Sequence, residues 1–277
     1  MIQDIAPHKY SVEFTPCQPS ADDILLIFNG NSVLVREENG RTWFPSVGGF
    51  DMNFEPVFLF KIDDTNIFMA DVDKGIVFEG WEFVKPEYFR TAAPHWKAFA
   101  GITAVSLHRW YSENKFCPRC GSKLKHGKKE RSLVCADCGR VVYPRISPCV
   151  IVALTNGERI MLTKYNQNHS PYKRYSLIAG YNEIGETLED TVKREVMEEV
   201  GLKVKNIKYF KNQPWPFSDT LLVGFFCELD GSDIPNIDKT ELSEATWFER
   251  GEIPATQSLI SLTNTMIEHF RNKGNDL

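Results

Sequence analysis

Four cysteines, arranged as Cys117-Pro-Arg-Cys120 and Cys135-Ala-Asp-Cys138, constrain this chain more than any other feature. The pairs are separated by 14 residues, and a glycine, Gly121 or Gly139, follows each second cysteine. Glycine permits positive φ just after the ligand, so the two thiolates of one knuckle can converge on a single tetrahedral ion. A redox pair is the competing reading, but two CxxC pairs at this spacing outside a thioredoxin-like context favour metal. Four protein ligands leave no open coordination position, which predicts one structural zinc per chain, folding a segment too short to bury its own core. The other cysteines, Cys17, Cys149 and Cys227, lie in or beside apolar strand-like runs and are expected to pack there.

The cysteine insert divides the 277 residues into three parts: a β-rich region at 1–113 with a closing helix, the ribbon at 114–143, and an α/β region at 144–277. Short apolar runs from Ile24 to Arg90, broken by Asn, Gly and Asp, read as antiparallel strands. From Pro94 to about Glu113 the spacing becomes helical, with Trp96, Phe99, Ala100, Ala104, Leu107 and Trp110 on one expected buried stripe. An overall α+β chain is predicted. The opening residues lack a basic start followed by an apolar core, and no apolar run is long enough to span a bilayer. With thiols in metal spacing, this points to a cytoplasmic protein without a membrane partner. A net charge of −5 argues against a general nucleic-acid coat. The basic stretch Lys123, Lys125, Lys128, Lys129 and Arg131 is either a solvated loop tip or a local contact with phosphates.

The segment from Gly180 to Leu202 carries the chemistry. Thr187 is a good N-cap with Asp190 three residues on, and Gly201 a good C′ residue, so both ends of a helix are marked. Leu188, Val192, Val196 and Val200 give one buried row, and Glu195, Glu198 and Glu199 share the adjacent face. Two charges about 6 Å apart repel by roughly 0.7 kcal/mol in water and roughly 3 kcal/mol at an effective dielectric near 20. On an open surface the triplet is a harmless solvated face; in a cleft it calls for a cation, and its hard oxygen ligands suit Mg²⁺ or Mn²⁺.

Gly180, Glu186 and the run Arg194-Glu195-Val196-Met197-Glu198-Glu199-Val200-Gly201-Leu202 match every fixed position of the Nudix box, and the chain resembles the Nudix hydrolases. The resemblance implies a C-terminal α/β/α sandwich in which water attacks one phosphorus of a nucleoside diphosphate linked to another group. It implies Glu195 and Glu199 as principal metal ligands and Glu198 as a further ligand or a base acting through water. The carbonyl of Ala179 is an extra ligand, and Arg194 orients a carboxylate, with Glu186 its partner. Glu241 matches a late metal-binding glutamate, Glu244 being the alternative.

Outside the box, Gln213-Pro214-Trp215-Pro216-Phe217 reads as a stiff loop offering two flat rings, followed by Ser218, Asp219 and Thr220. The stretch resembles the SQPWPFPxS motif of the NADH pyrophosphatase branch of Nudix enzymes, which also removes NAD caps from RNA. That branch carries a four-cysteine ribbon before the Nudix domain and a β-rich domain before that. Asn212, Ser218 and Thr220 depart from the motif; losing the proline at 218 could loosen the loop. The resemblance implies residues 213–220 as substrate contacts, with Tyr143 and Tyr181 as stacking rings, each of which could instead be a packing tyrosine. Arg90 is a further possible contact that no motif fixes. The implied activity is hydrolysis of NADH or NAD⁺ to nicotinamide mononucleotide and AMP by a homodimer, with NAD-capped RNA as a larger substrate. Alternatives are a Nudix hydrolase of ADP-ribose or dinucleoside polyphosphates, and a nucleotide-sensing regulator without turnover.

Overall fold

The computed structural model describes residues 1–50, 55–166, 174–256 and 258–273. The chain forms two compact units, one of Ile2–Arg145 with Pro216–Asp219, the other of Met1, Ile146–Trp215 and Thr220–Leu277. Among the described residues no helix is long and apolar enough to cross a membrane.

In the first unit the strands are β1 (Tyr10–Ser11), β2 (Ile24–Asn29), β3 (Ser32–Glu38), β4 (Arg41–Trp43), β5 (Val57–Ile62), β6 (Thr65–Asp71) and β7 (Glu82–Val84). Among the described residues they make one sheet in the order β1-β5-β6-β2-β3-β4, with β7 beside β3. The expectation of a purely antiparallel region fails at its centre, where β2 and β6 run parallel with Ile24 opposite Ile67. Two hairpins, β2–β3 and β5–β6, lie side by side, and both joining strands are buried along most of their length, as parallel strands usually are.

Helix α1 (His95–Glu113) closes this unit. Phe99, Ala100, Ala104 and Trp110 are buried as expected, whereas Trp96 and Leu107 are only half-buried. The single stripe is too narrow a description, because Lys97, Ile102 and His108 are buried as well. Their polar atoms are matched: Lys97 Nζ donates to the Thr42 carbonyl at 2.8 Å, and His108 stacks on Phe28 with Nε2 2.7 Å from Asp71. A Cβ on Gly101 would come within 2.2 Å of the Phe89 ring, so glycine sets how closely α1 sits on that ring. Cys17, expected to pack, is exposed, held between Pro16 and Pro19 in a stretch outside any strand.

The ribbon adds strands β8 (Leu124–His126), β9 (Leu133–Cys135) and β10 (Val141–Val142) in the order β10-β9-β8. Trp110, Leu124 and Leu133 pack with Cys117 and Cys135 into a small core. The end of α1 thus supplies apolar surface that the short insert lacks.

The second unit contains β11 (Ser147–Asn156), β12 (Arg159–Tyr165), β13 (Ile178–Tyr181), α2 (Leu188–Val200), β14 (Val204–Trp215), β15 (Thr220–Leu229), β16 (Leu242–Glu249) and α3 (Leu262–Lys273). Among the described residues the sheet order is β14-β15-β11-β12-β16, with β13 also on β11. Side chains alternate across the sheet. Val150, Val152, Val223 and Phe225 meet Val192, Val196 and Val200 of α2, while Ile151, Ala153 and Phe226 meet Leu262, Met266 and Phe270 of α3. Two cores on opposite faces of one sheet give the expected α/β/α sandwich.

Candidate active site

Both ends of α2 are fixed locally. Thr187 Oγ1 accepts the Asp190 amide at 3.1 Å, and Gly201 closes the helix at φ 67°, its N–H reaching the Met197 carbonyl. Val192, Val196 and Val200 are fully buried, each contributing about 2 kcal/mol of transfer free energy. That row fixes the rotation of the helix and turns the glutamates toward β13.

The three glutamates are not equivalent. Glu199 is 2% exposed and Glu195 8%, whereas the Glu198 side chain is 58% exposed. Glu195 occupies the space above Gly180, where a Cβ would stand 1.8 Å from its carboxyl carbon. One residue earlier, the Ala179 N–H donates to Glu199 Oε1 at 3.4 Å. The other oxygen, Glu199 Oε2, is buried with no hydrogen-bond partner among the described residues. Consecutive residues of β13 therefore carry two carboxylates one helical turn apart.

Arg194 ties the group together. Its Nε and Nη2 grip Glu186 at 2.7 and 3.0 Å, Nη1 bridges Glu195 at 2.7 Å and Glu198 at 2.9 Å, and Nη2 also reaches the Tyr181 carbonyl. The bidentate guanidinium holds the Glu186 carboxyl down at about 2. Burial has the opposite effect on Glu199, pushing it up to about 8 against the weak Ala179 bond, with the charges of Glu195, Glu241 and Glu198 adding to the rise. Glu195 is also raised, by burial first and by Glu198 and Glu241, with Arg194 opposing.

Glu241 is exposed in the turn before β16, and its charge is felt by both buried carboxylates. Glu244 is engaged elsewhere, paired with Lys164 at 2.7 Å and accepting from Tyr175 and Thr246. Two neighbours of the cluster escaped sequence reasoning as members of a site. Burial and then the charges of Glu195 and Glu199 push the Cys149 thiol up to about 12. Tyr165 is raised by burial and then chiefly by Glu199. The sequence suggests only ordinary packing for Cys149, and the end of an apolar strand gives no signal for Tyr165.

The stretch read as a loop is largely strand. Strand β14 runs on through Trp215, which lies opposite Thr220, leaving only Pro216–Asp219 as the turn, with Asp219 at φ 55°. Gln213 is fully buried: its Nε2 donates to the Ile260 carbonyl at 2.8 Å and its Oε1 accepts the Leu262 N–H at 2.5 Å. It joins the hairpin to the start of α3. Pro214 and Ser218 are exposed, Trp215 is partly buried and Pro216 is buried. Tyr181 is exposed at the end of β13, with its hydroxyl 3.4 Å from Thr220 Oγ1. Within the first unit, Arg109 binds Asp219 at 2.6 Å and the Arg90 guanidinium lies 4.4 Å from the Phe217 ring centre. The exposed Tyr143 donates to Glu130 at 2.7 Å.

The four ribbon thiols lie within 4.8 Å of one another, and Gly121 and Gly139 adopt φ 77° and 71° as the knuckles require. The Gly121 N–H bonds the Cys117 carbonyl and the Gly139 N–H the Cys135 carbonyl. A closed all-sulfur set fits tetrahedral Zn²⁺. Among the described residues no acidic group is drawn as tightly. The oxygen donors near α2 still suit a hard cation, given the buried unpartnered oxygen of Glu199 and the cradle at Gly180.

The chain is similar to known proteins from residue 112 onward. The NUDIX domain family matches residues 145–268, and the NADH pyrophosphatase zinc ribbon domain matches residues 112–143. Two curated relatives, both called NAD-capped RNA hydrolase NudC, come from Pectobacterium atrosepticum and Escherichia coli K12. Each is 38% identical over 164 residues, which is 59% of this chain and 62% and 63% of the respective relative. The match thus spans somewhat under two thirds of those proteins. A solved NUDIX hydrolase from Nitrosomonas europaea aligns at 22% identity with a TM-score of 0.46, covering 57% of this chain and 92% of that one.

Proposed function

We propose that this chain, which carries a Nudix domain behind a zinc ribbon of the NADH pyrophosphatase type, hydrolyses the pyrophosphate bond of NADH and NAD⁺. The products are nicotinamide mononucleotide and AMP, and the same cleavage removes an NAD cap from RNA, the activity named for its curated relatives. The observation that carries this reading is the pair Glu195 and Glu199 seated on Gly180 and Ala179, with one buried carboxylate oxygen that has no hydrogen-bond partner among the described residues.

In the reaction the oxygen of water bonds to one phosphorus while the bridging P–O bond breaks. The electron pair stays on the oxygen leaving with the other phosphate. Glu195, Glu199 and Glu241, with the Ala179 carbonyl, would hold Mg²⁺ or Mn²⁺. Such a cation, when bound, neutralises charge on the diphosphate and lowers the pKa of the attacking water. Glu198 is the most exposed of the α2 triplet and takes the proton of that water, while Arg194 keeps its carboxylate in place. Tyr181 and residues 214–220 hold the substrate's rings. Gln213 supports them through α3, and Tyr143 contributes a further ring.

The proposal includes the three-part division at 113/114 and 143/144, a homodimer, and a reducing cellular compartment. Sedimentation of the full chain tests the dimer.

The decisive experiment incubates the full chain with NADH, NAD⁺, ADP-ribose and a dinucleoside polyphosphate in parallel, with Mn²⁺ or Mg²⁺, and separates the products. AMP with the matching mononucleotide is expected from the first two. Intact NADH beside cleaved ADP-ribose would move the chain to a different Nudix substrate. Four intact substrates would leave the regulator reading.

A further inference from the structure

Strand β14 carries Lys205, Lys208 and Lys211 along the edge of the second unit's sheet, and Lys203 lies just before it; all four are exposed. In a regular strand, residues three apart point to opposite faces, so Lys205, Lys208 and Lys211 would alternate. Two register shifts against β15 cancel that alternation, one between Lys205 and Lys208 and one between Tyr209 and Lys211. The three lysines consequently lie opposite Glu228, Phe226 and Gly224. Those positions are two apart on β15 and share a face, the one on which Phe226 packs in the α3 core and a Cβ on Gly224 would touch Met266 and Leu262. Lys203, two residues before Lys205, extends the row.

Steps of two strand residues are roughly 7 Å, comparable to the spacing of successive phosphates in an extended single strand. Beside Lys205 and Lys208 is a cleft of about 400 Å³ bordered also by Thr155, Asn156 and Glu228. Two acidic groups beside the row are Glu228, bonded by the Asn206 amide, and Asp230, 3.4 Å from Lys205 Nζ. Both are exposed pairings of the kind that contribute little. At its other end the row leads to Trp215 and the hairpin, four residues beyond Lys211.

We propose that this bulged lysine row is a track for the phosphodiester backbone of single-stranded RNA, carrying the nucleotides that follow an NAD cap. It rests on the cap-removal reading for its biological use, although RNA binding by the row can be measured without it. The chain's net charge of −5 confines such binding to a local feature.

The test compares the full-length protein with a Lys205→Ala/Lys208→Ala/Lys211→Ala variant and the corresponding triple arginine variant. Three readouts are the affinity for an uncapped single-stranded RNA across a salt series, kcat/KM on free NADH, and kcat/KM on NAD-capped RNA. Losing three phosphate contacts should flatten the slope of log affinity against log salt by about 2. The alanine variant should lose RNA affinity and capped-RNA kcat/KM, keep NADH turnover, and the arginine variant should behave as wild type. Equal RNA affinity and salt slope for wild type and alanine variant would overturn the track, as would no RNA binding by either. If RNA binding depends on the lysines but capped RNA is not cleaved, the track stands and the cap-removal reading fails.

Discussion

Glycine 180 shows how much a single absent side chain can decide. Its missing Cβ is where the Glu195 carboxylate sits, and the clash a methyl group would cause falls on the far end of a flexible side chain rather than on backbone. Gly180→Ala should therefore leave the fold nearly intact, at about 1 kcal/mol of stability. It should displace Glu195 and lower kcat about a hundredfold or more, the usual loss when a group that stabilises transition-state charge is moved. Paired thermal melts and NADH kinetics check this, and a variant with wild-type kcat would remove Glu195 from the site. Glu199 adds a pH signature. Burial raises its carboxyl from 4.5 to about 8, so between those values the folded chain keeps a proton that the unfolded chain has released. Stability of protein without added divalent cation is thus expected to fall as pH rises from about 4.5 to about 8. Glu199→Gln should flatten that limb, abolish turnover, and leave the ribbon zinc bound. Denaturant melts across this range, with zinc analysis, measure all three. The glutamate types and their spacing were legible in the sequence, but the division into two buried carboxylates and one exposed was not. It depends on β13, a strand whose partner no local pattern announces.

At the level of elements, α2 was readable because its caps and its valine row are local features that agree with one another. The hairpin was not. Prolines in Gln213-Pro214-Trp215-Pro216 suggest a loop, yet Pro214 sits within an edge strand, where a missing N–H costs no ladder bond if it faces outward. The role of Gln213 was hidden for a different reason: its partners, Ile260 and Leu262, are nearly fifty residues away in sequence. Gln213→Ala would leave a buried N–H at the start of α3 without its acceptor, a cost of about 1–3 kcal/mol. Urea denaturation should show that loss. If the amide acts only as a brace, KM for NADH should rise because the hairpin shifts, while kcat changes little; an unchanged midpoint would show that the contact carries no weight.

For the molecule as a whole, cysteine spacing and changes of apolar periodicity made the sequence of β-rich region, ribbon and α/β sandwich legible. Pairing was less so, since alternation tells which face a strand buries but not which strand lies beside it, and the parallel β2–β6 contact joins residues as far apart in sequence as Ile24 and Ile67. The same division of labour extends to metals. The ribbon offers four thiols within 4.8 Å of one another and closes its coordination sphere, whereas the α2 region offers dispersed carboxylates, one of them largely exposed. Soft thiolates and hard oxygens hold their ions with very different tenacity. Brief dialysis against an oxygen-and-nitrogen chelator should abolish NADH hydrolysis while leaving close to one zinc per chain by elemental analysis, and added Mn²⁺ or Mg²⁺ should restore activity. A thiol-reactive mercurial should instead release the zinc and unfold the ribbon, because its small core is built partly from Cys117 and Cys135 themselves. If the first treatment removed zinc in step with activity, the two metal roles would not be separable, and the ribbon ion would have to be counted as part of the catalytic machinery.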